Sequence, residues 1–130
     1  MKDNIKLSIT VPVEPKVIYN SWFDSKEHSA FTRSNVDIQK KVGSSFTSLD
    51  GYVTGEVKQM IMSKQIIMSW RTTDFLASDE DSLLTVSFEG HGSSTKVVVL
   101  HENLPDGEGK KYRKSWKDNY FVHMKDYFSL

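Results

Sequence analysis

The sequence predicts an α+β domain: an antiparallel sheet of about six strands, with two short helices and one long C-terminal helix packed on it. Three observations predict it. Six segments alternate apolar and polar side chains with period two, the signature of half-buried strands. Most of these segments are separated by tight turns, at Asp50-Gly51, Ser63-Lys64 and Gly90-His91-Gly92-Ser93. Beyond Asn103-Leu104-Pro105 the period becomes helical and stays so to the end of the chain.

The elements follow in order. In IKLSITV the residues Ile5, Leu7, Ile9 and Val11 share one parity, and Lys6, Ser8 and Thr10 share the other. Pro12 and Pro15 end that strand, and EPKVIYNSWF then reads as a short helix with Pro15 in its first turn. Residues 24–31 read as a second short helix, capped by Asp24 or Ser25. The polar stretch Thr32 to Gly43 reads as a loop. SSFTSL and YVTGEVKQMIM flank Asp50-Gly51, a two-residue hairpin signal. QIIMSWR presents Ile66, Met68 and Trp70 on one face, and SLLTVSFE presents Leu84, Val86 and Phe88. In STKVVVLHEN, Thr95, Val97, Val99 and His101 alternate with Lys96, Val98 and Leu100. Apolar residues on both faces predict a central or doubly covered strand.

For the last helix Asp106 is the expected N-cap. At 100° per residue Tyr112, Trp116, Tyr120, His123, Tyr127 and Leu130 fall within an arc of about 80°. Phe121, Met124 and Phe128 widen one shoulder, while Lys111, Lys114, Asp118, Val122 and Lys125 face away. Six of the fifteen aromatic residues lie in the last nineteen positions. Each buried ring removes about 150–250 Å² from water, so the stripe predicts the face that meets the sheet.

Composition narrows the function. The 130 residues predict one domain, spanning 1–130. Seventeen basic and seventeen acidic residues cancel, which gives no bulk attraction to nucleic acid or anionic membrane. The absence of cysteine excludes disulfides, thiol catalysis and thiolate metal sites. The N-terminus MKDNIKLSITV has no apolar run of signal-peptide kind, and no segment is long enough to span a bilayer, so a cytoplasmic protein is expected. The histidines at 28, 91, 101 and 123 show no metal-ligand spacing, and no metal or cofactor is expected. On its own face of the helix His123 has no neighbouring carboxylate or nucleophile, since Asn119 and Tyr127 occupy those places, which favours a satisfied core histidine over a general base. GEGKKY lacks the phosphate-loop spacing, and KKYRK is too short to be a nucleic-acid surface in a neutral chain.

Several motifs together resemble one known family. TGEVKQMIMSKQIIMSWR, with Gly55, Glu56, Val57, Trp70 and Arg71, is similar to a strand pair in the C-terminal-type domain of the activator of the heat-shock-ninety chaperone's ATPase. NLPDGEGKKYRKSWKDNYFVHMKDYF, with Trp116, Tyr120-Phe121 and Tyr127-Phe128, is similar to that family's closing helix. EPKVIYNSWFDSKEHSAFT resembles its first helical region, with Phe31 where many bacterial members carry tryptophan. The resemblance covers nearly the whole chain. It implies the helix-grip (START-like) fold, in which a curved sheet grips the last helix, often around an apolar cavity. The eukaryotic activator carries a separate N-terminal domain as well, and this chain resembles the C-terminal-type domain alone.

The resulting expectation is a non-catalytic binding domain that holds a small apolar ligand between sheet and C-terminal helix. Phe31, Phe46, Trp70, Phe88, Trp116, Tyr120 and His123 are the expected cavity residues. Glu56 and Arg71, on neighbouring strands, are expected at the cavity mouth, where a cross-strand ion pair between them is the plainer account. Two alternatives stand beside it. One is a co-chaperone that binds the heat-shock-ninety chaperone and stimulates its ATPase. The other is a cyclase or hydrolase using the same cavity.

Overall fold

The computed structural model describes residues 2–129. Strand β1 (Asp3–Val11) leads into helices α1 (Pro15–Phe23) and α2 (Ser25–Thr32). Strands β2 (Ser45–Ser48), β3 (Val53–Ile61), β4 (Gln65–Thr72), β5 (Ser82–His91) and β6 (Ser94–Leu104) follow. The chain closes with α3 (Gly109–Ser115), a π-helical segment (Trp116–Phe121) and α4 (Val122–Phe128), which together form one C-terminal helix. The six strands make a single antiparallel sheet in the order β1-β6-β5-β4-β3-β2. The α+β helix-grip architecture is therefore as predicted.

Period-two patterning sets the register. The inward parity of four adjacent strands carries Ile5, Leu7 and Val11 (β1), Val97, Val99 and His101 (β6), Leu84, Val86 and Phe88 (β5), and Ile66, Met68 and Trp70 (β4), all buried. A slip of one residue would turn each set out to water. β6, apolar on both faces, lies between β1 and β5, and its outward Val98 is buried as well. The helices cover only the inward face, so the opposite face of the sheet carries the polar parity. No described helix is long and apolar enough to cross a membrane.

Local signals set the helix ends. Pro15 occupies the first turn of α1, and the Asp24 carboxylate accepts the N–H groups of Lys26 and Glu27 at 3.0 Å to start α2. Two expectations fail for tertiary reasons. The β2–β3 turn is longer than two residues, because Ser48 pairs with Val53 and leaves 49–52 as the loop. Leu49, Asp50 and Gly51 all have positive φ there (49°, 59° and 88°). The Asp50 carboxylate accepts the Asn35 N–H at 2.7 Å, and the Asp50 N–H reaches the Asn35 carbonyl at 3.1 Å. Those bonds anchor the loop to the segment after α2. The C-terminal helix begins at Gly109 rather than beside Asp106, and its first N–H donates to Asp3 Oδ2 of β1 at 2.8 Å. A Cβ on Gly109 would lie 2.9 Å from that oxygen, so glycine permits the close approach.

The π-helical segment corrects the predicted helical arc. Buried positions Tyr112, Trp116, Tyr120, Met124 and Phe128 recur every four residues. On a straight α-helix that spacing drifts by about 40° per step. The Val122 N–H bonds the Lys117 carbonyl, five residues back, and this wide turn absorbs the drift. Phe121, Met124 and Phe128 consequently move from the predicted shoulder into the core, while His123 and Tyr127 rotate to half-buried positions. Leu130, the last member of the predicted arc, lies outside the described residues.

Candidate functional site

The expected cavity region is a continuous cluster of rings between the sheet and the C-terminal helix. Trp70 of β4 stands edge-on to Tyr112 (centroids 5.3 Å apart) and stacks on Trp116 at 6.3 Å. Trp116 reaches Tyr120 at 4.6 Å, and Tyr120 stacks on Trp22 of α1 at 5.5 Å. Phe31 of α2 lies 6.0 Å from Trp22 and 5.7 Å from Phe128. Phe31, Trp70, Trp116 and Tyr120 are thus brought together, and all four are buried.

Phe46 and Phe88 belong to the same buried core but lie outside that run of ring contacts, and His123 lies at its edge. Phe46 covers Gly55 at the β2 edge, so close that a Cβ on Gly55 would lie 2.7 Å from its ring. Phe88 packs edge-on against Tyr19 of α1 at 5.8 Å. His123 lies at the rim, where it lines two surface clefts of about 580 and 350 Å³. Its Nδ1 is buried without a hydrogen-bond partner among the described residues.

Polar atoms inside the cluster are committed to one another. His28 Nδ1 lies 2.7 Å from the Trp22 carbonyl, which only accepts, so Nδ1 carries the proton. His28 Nε2 therefore accepts from the Tyr120 hydroxyl at 3.0 Å. Ser48 in turn donates to the Tyr120 oxygen at 2.6 Å. A second chain runs through β6. Ser82 Oγ donates to the Trp70 carbonyl at 2.6 Å, so His101 Nε2–H donates to Ser82 Oγ at 2.8 Å. Trp116 Nε1–H donates to His101 Nδ1 at 3.1 Å. Burial lowers His28 to about 4, against the raising effect of the Trp22 carbonyl, and burial alone lowers His101 to about 3. Burial pushes the Tyr120 phenol up, so it too stays neutral. The site therefore contains two neutral histidines of opposite tautomer, with no free lone pair on either ring.

Glu56 and Arg71 are not at the mouth of this cluster. They share a cleft of about 380 Å³ on the opposite face of the sheet, with Ser45, Thr54, Ser69 and Asp81. They do not form the expected ion pair, because Arg71 registers against Thr54 rather than Glu56. Arg71 instead pairs with Asp81 at 2.7 Å and donates to the carbonyls of Leu76 and Asp79, clamping the β4–β5 loop. Glu56 pairs with Lys58 at 2.9 Å. The basic run KKYRK is divided among local partners: Lys111 to Asp74, Arg113 to the Lys6 carbonyl and Lys114 to Asp118. Lys111 and Tyr52 together hold the Asp74 carboxyl below its ordinary range.

His28, Ser48, Ser82 and His101 were not among the expected site residues. Their partners lie up to 92 positions away in sequence, beyond any local pattern. One signal did exist. Ser82 and His101 occupy inward positions of their strands, and a polar residue at such a position needs a buried partner.

Chemically the cluster offers rings, hydroxyls and two locked imidazoles, and neither imidazole has a nitrogen free to take a proton from a substrate. Comparison with known proteins agrees with this architecture. The activator of 90 kDa heat shock protein ATPase homolog 1 from Homo sapiens is 25% identical over 124 residues, covering 95% of this chain and 36% of that protein. The homolog from Dictyostelium discoideum is 25% identical over 126 residues, covering 96% and 33%. The chain thus spans about a third of the length of these relatives. Among solved structures, an HSP90 activator from Plasmodium falciparum superimposes with a TM-score of 0.80 at 24% identity, covering 92% of this chain and 91% of that one. The Aha1 dimer from Colwellia psychrerythraea gives 0.81 at 17% identity, covering 98% and 97%. The family described as Activator of Hsp90 ATPase homolog 1-like protein matches residues 12–129, and the chain belongs to that family.

Proposed function

We propose that this chain is a non-catalytic binding domain that works by surface contact with a ninety-kilodalton heat-shock chaperone, in a cytoplasmic setting, and raises its ATPase rate. The observation that carries this reading is the filled interior. Phe31, Trp70, Trp116 and Tyr120 are buried against one another, and the polar groups of the Tyr120 and Trp116 chains are spent on internal hydrogen bonds. A helix-grip domain with a filled grip has its outer surfaces left for binding. The family match supports the choice of partner. The test is ATP turnover by the chaperone from the same cell, with and without the pure protein, alongside a direct binding measurement. Binding with a severalfold rise in turnover is expected. No binding at high micromolar concentration would remove the reading.

A second reading, a small apolar ligand held in the grip, has one observation in its favour. Trp22 Nε1–H is buried without an acceptor among the described residues, beside Tyr120 and His28. A ligand carrying one acceptor would complete it. Native mass spectrometry of protein taken gently from its own cells tests this: a reproducible small-mass adduct supports it, and a bare chain counts against it. For a cyclase or hydrolase reading the candidate base is His123 at the rim, and unchanged activity in His123→Ala would remove that candidate.

A further inference from the structure

Two buried histidines fasten the C-terminal helix to two different layers of the protein. His28, on α2, holds the helix through Tyr120, and His101, on β6, holds it through Trp116. In both contacts the helix residue is the donor and the unprotonated ring nitrogen is the acceptor. The opposite ring nitrogens are already donors, to the Trp22 carbonyl and to Ser82 Oγ. A second proton on either ring would therefore sit on the nitrogen that faces the helix. An indole N–H cannot become an acceptor, so a protonated His101 and Trp116 would oppose one another donor to donor. Tyr120 could turn its hydroxyl to Ser48 Oγ, 2.6 Å away, and accept from His28 instead, so at His28 the obstacle is the burial of an unpaired charge rather than a meeting of two donors.

We propose that His28 and His101 form an acid-sensitive latch: protonation of either ring releases the C-terminal helix and uncovers the ring cluster, while the central strands stay paired. The inference is independent of the chaperone-binding reading. Among the described residues no counter-charge softens it. His28 faces Trp22 from α1, Ser48 from β2 and Tyr120 from the helix, and of these only Tyr120 titrates. On its own helix, Asp24 is turned to the amides of Lys26 and Glu27, and Glu27 accepts from the Tyr127 hydroxyl. His101 faces Trp70 from β4, Ser82 from β5, Ile5 from β1 and Tyr112 and Trp116 from the helix, and of these only Tyr112 carries an ionisable group, a phenol. Glu102 lies on the other face of β6.

The direction follows from linkage. Both rings are held below the ordinary histidine value, to about 4 and about 3, so the latched state binds fewer protons than the released state. Its advantage is complete above about pH 6.5 and is lost as pH falls from there toward those values. Two rings together multiply the released fraction by up to about a hundredfold per pH unit in that window.

Hydrogen exchange on the intact chain, read as protection factors at about pH 7 and at steps down to about pH 4.5, tests the latch. Protection over Gly109–Phe128 is expected to fall by more than tenfold per pH unit below about pH 6.5, with β5 and β6 holding. His101→Gln, which keeps one acceptor and one donor but does not titrate, combined with His28→Asn, is expected to abolish that steep fall. Should the double variant fail to fold, the imidazole NMR signals of the wild-type protein decide. Charging of His28 and His101 in step with helix release supports the latch. It is overturned by either ring charging within an intact helix–sheet contact, by helix and sheet losing protection together, or by helix protection unchanged down to about pH 4.5.

Discussion

At the scale of single residues, hydrogen bonding separates tryptophans that burial alone would rank as equals. Trp22 and Trp116 are both 2% exposed and both touch Tyr120. Trp116 donates to His101, whereas Trp22 Nε1–H is buried with no acceptor among the described residues. Replacing either by phenylalanine removes similar apolar area. Trp116→Phe additionally leaves His101 Nδ1 as a buried acceptor without its donor, a cost of about 1–3 kcal/mol. Trp22→Phe removes an unsatisfied donor and so offsets part of its packing loss. Urea unfolding of the two variants should therefore rank Trp116→Phe as the more damaging by about 1–3 kcal/mol. Equal losses would mean that the His101 contact contributes nothing net. None of this asymmetry is legible in the sequence, where both residues read as apolar helix positions. It depends on which groups the fold brings opposite each indole.

Among elements, the C-terminal helix shows how far periodicity reaches. Its existence, its amphipathic character and the inward placement of Tyr112, Trp116 and Tyr120 follow from the spacing alone. The π turn does not, because the 100° rule assumes an unbroken helix, and this is why His123 was expected inside and is at the rim. Relative to Trp116, the buried positions are −4, +4, +5, +8 and +12. Removing one residue from the π turn makes them −4, +3, +4, +7 and +11, the pattern of a regular amphipathic α-helix. Asp118 is exposed within that turn, and its contact is a solvent-screened surface ion pair with Lys114 that contributes little. Deleting Asp118 should therefore leave a folded protein, with stability changed by about 1 kcal/mol and no loss of helical circular dichroism. Deletion of Lys125, in the regular turn that follows, should cost more, because it moves Phe128 off the buried face. If both deletions are equally damaging, the π turn is a required shape rather than an absorbed extra residue. The strands were more readily legible than the helix because period two tolerates no drift. The chief miss among them, the four-residue β2–β3 loop, traces to Asp50 bonding Asn35 rather than to any fault in the alternation.

For the whole molecule, the arrangement of rings makes the two layers one unit. Sequence pattern and family likeness together identify the sheet, its helices and the side of the sheet on which the rings lie. They do not reveal how full the grip is, because that depends on how Trp70, Trp116, Tyr120 and Phe31 meet across elements far apart in the chain. The same contacts couple α1, the sheet and the C-terminal helix. Trp22, Trp70 and Trp116, one from each, join through Tyr120 by steps of 5.5, 4.6 and 6.3 Å. No layer can leave without uncovering the rings of the other two, so above the histidine range the chain should unfold in one cooperative step. Variants keeping a single tryptophan each would report from α1, β4 and the helix in turn. At about pH 7.5 the urea midpoint from each fluorophore should coincide with that from far-ultraviolet circular dichroism of the same variant. A helix tryptophan that becomes exposed at lower urea than the strand ladder, already at this pH, would mean that the helix is an independent unit before any histidine charges. The coupling drawn from the ring contacts would then be wrong.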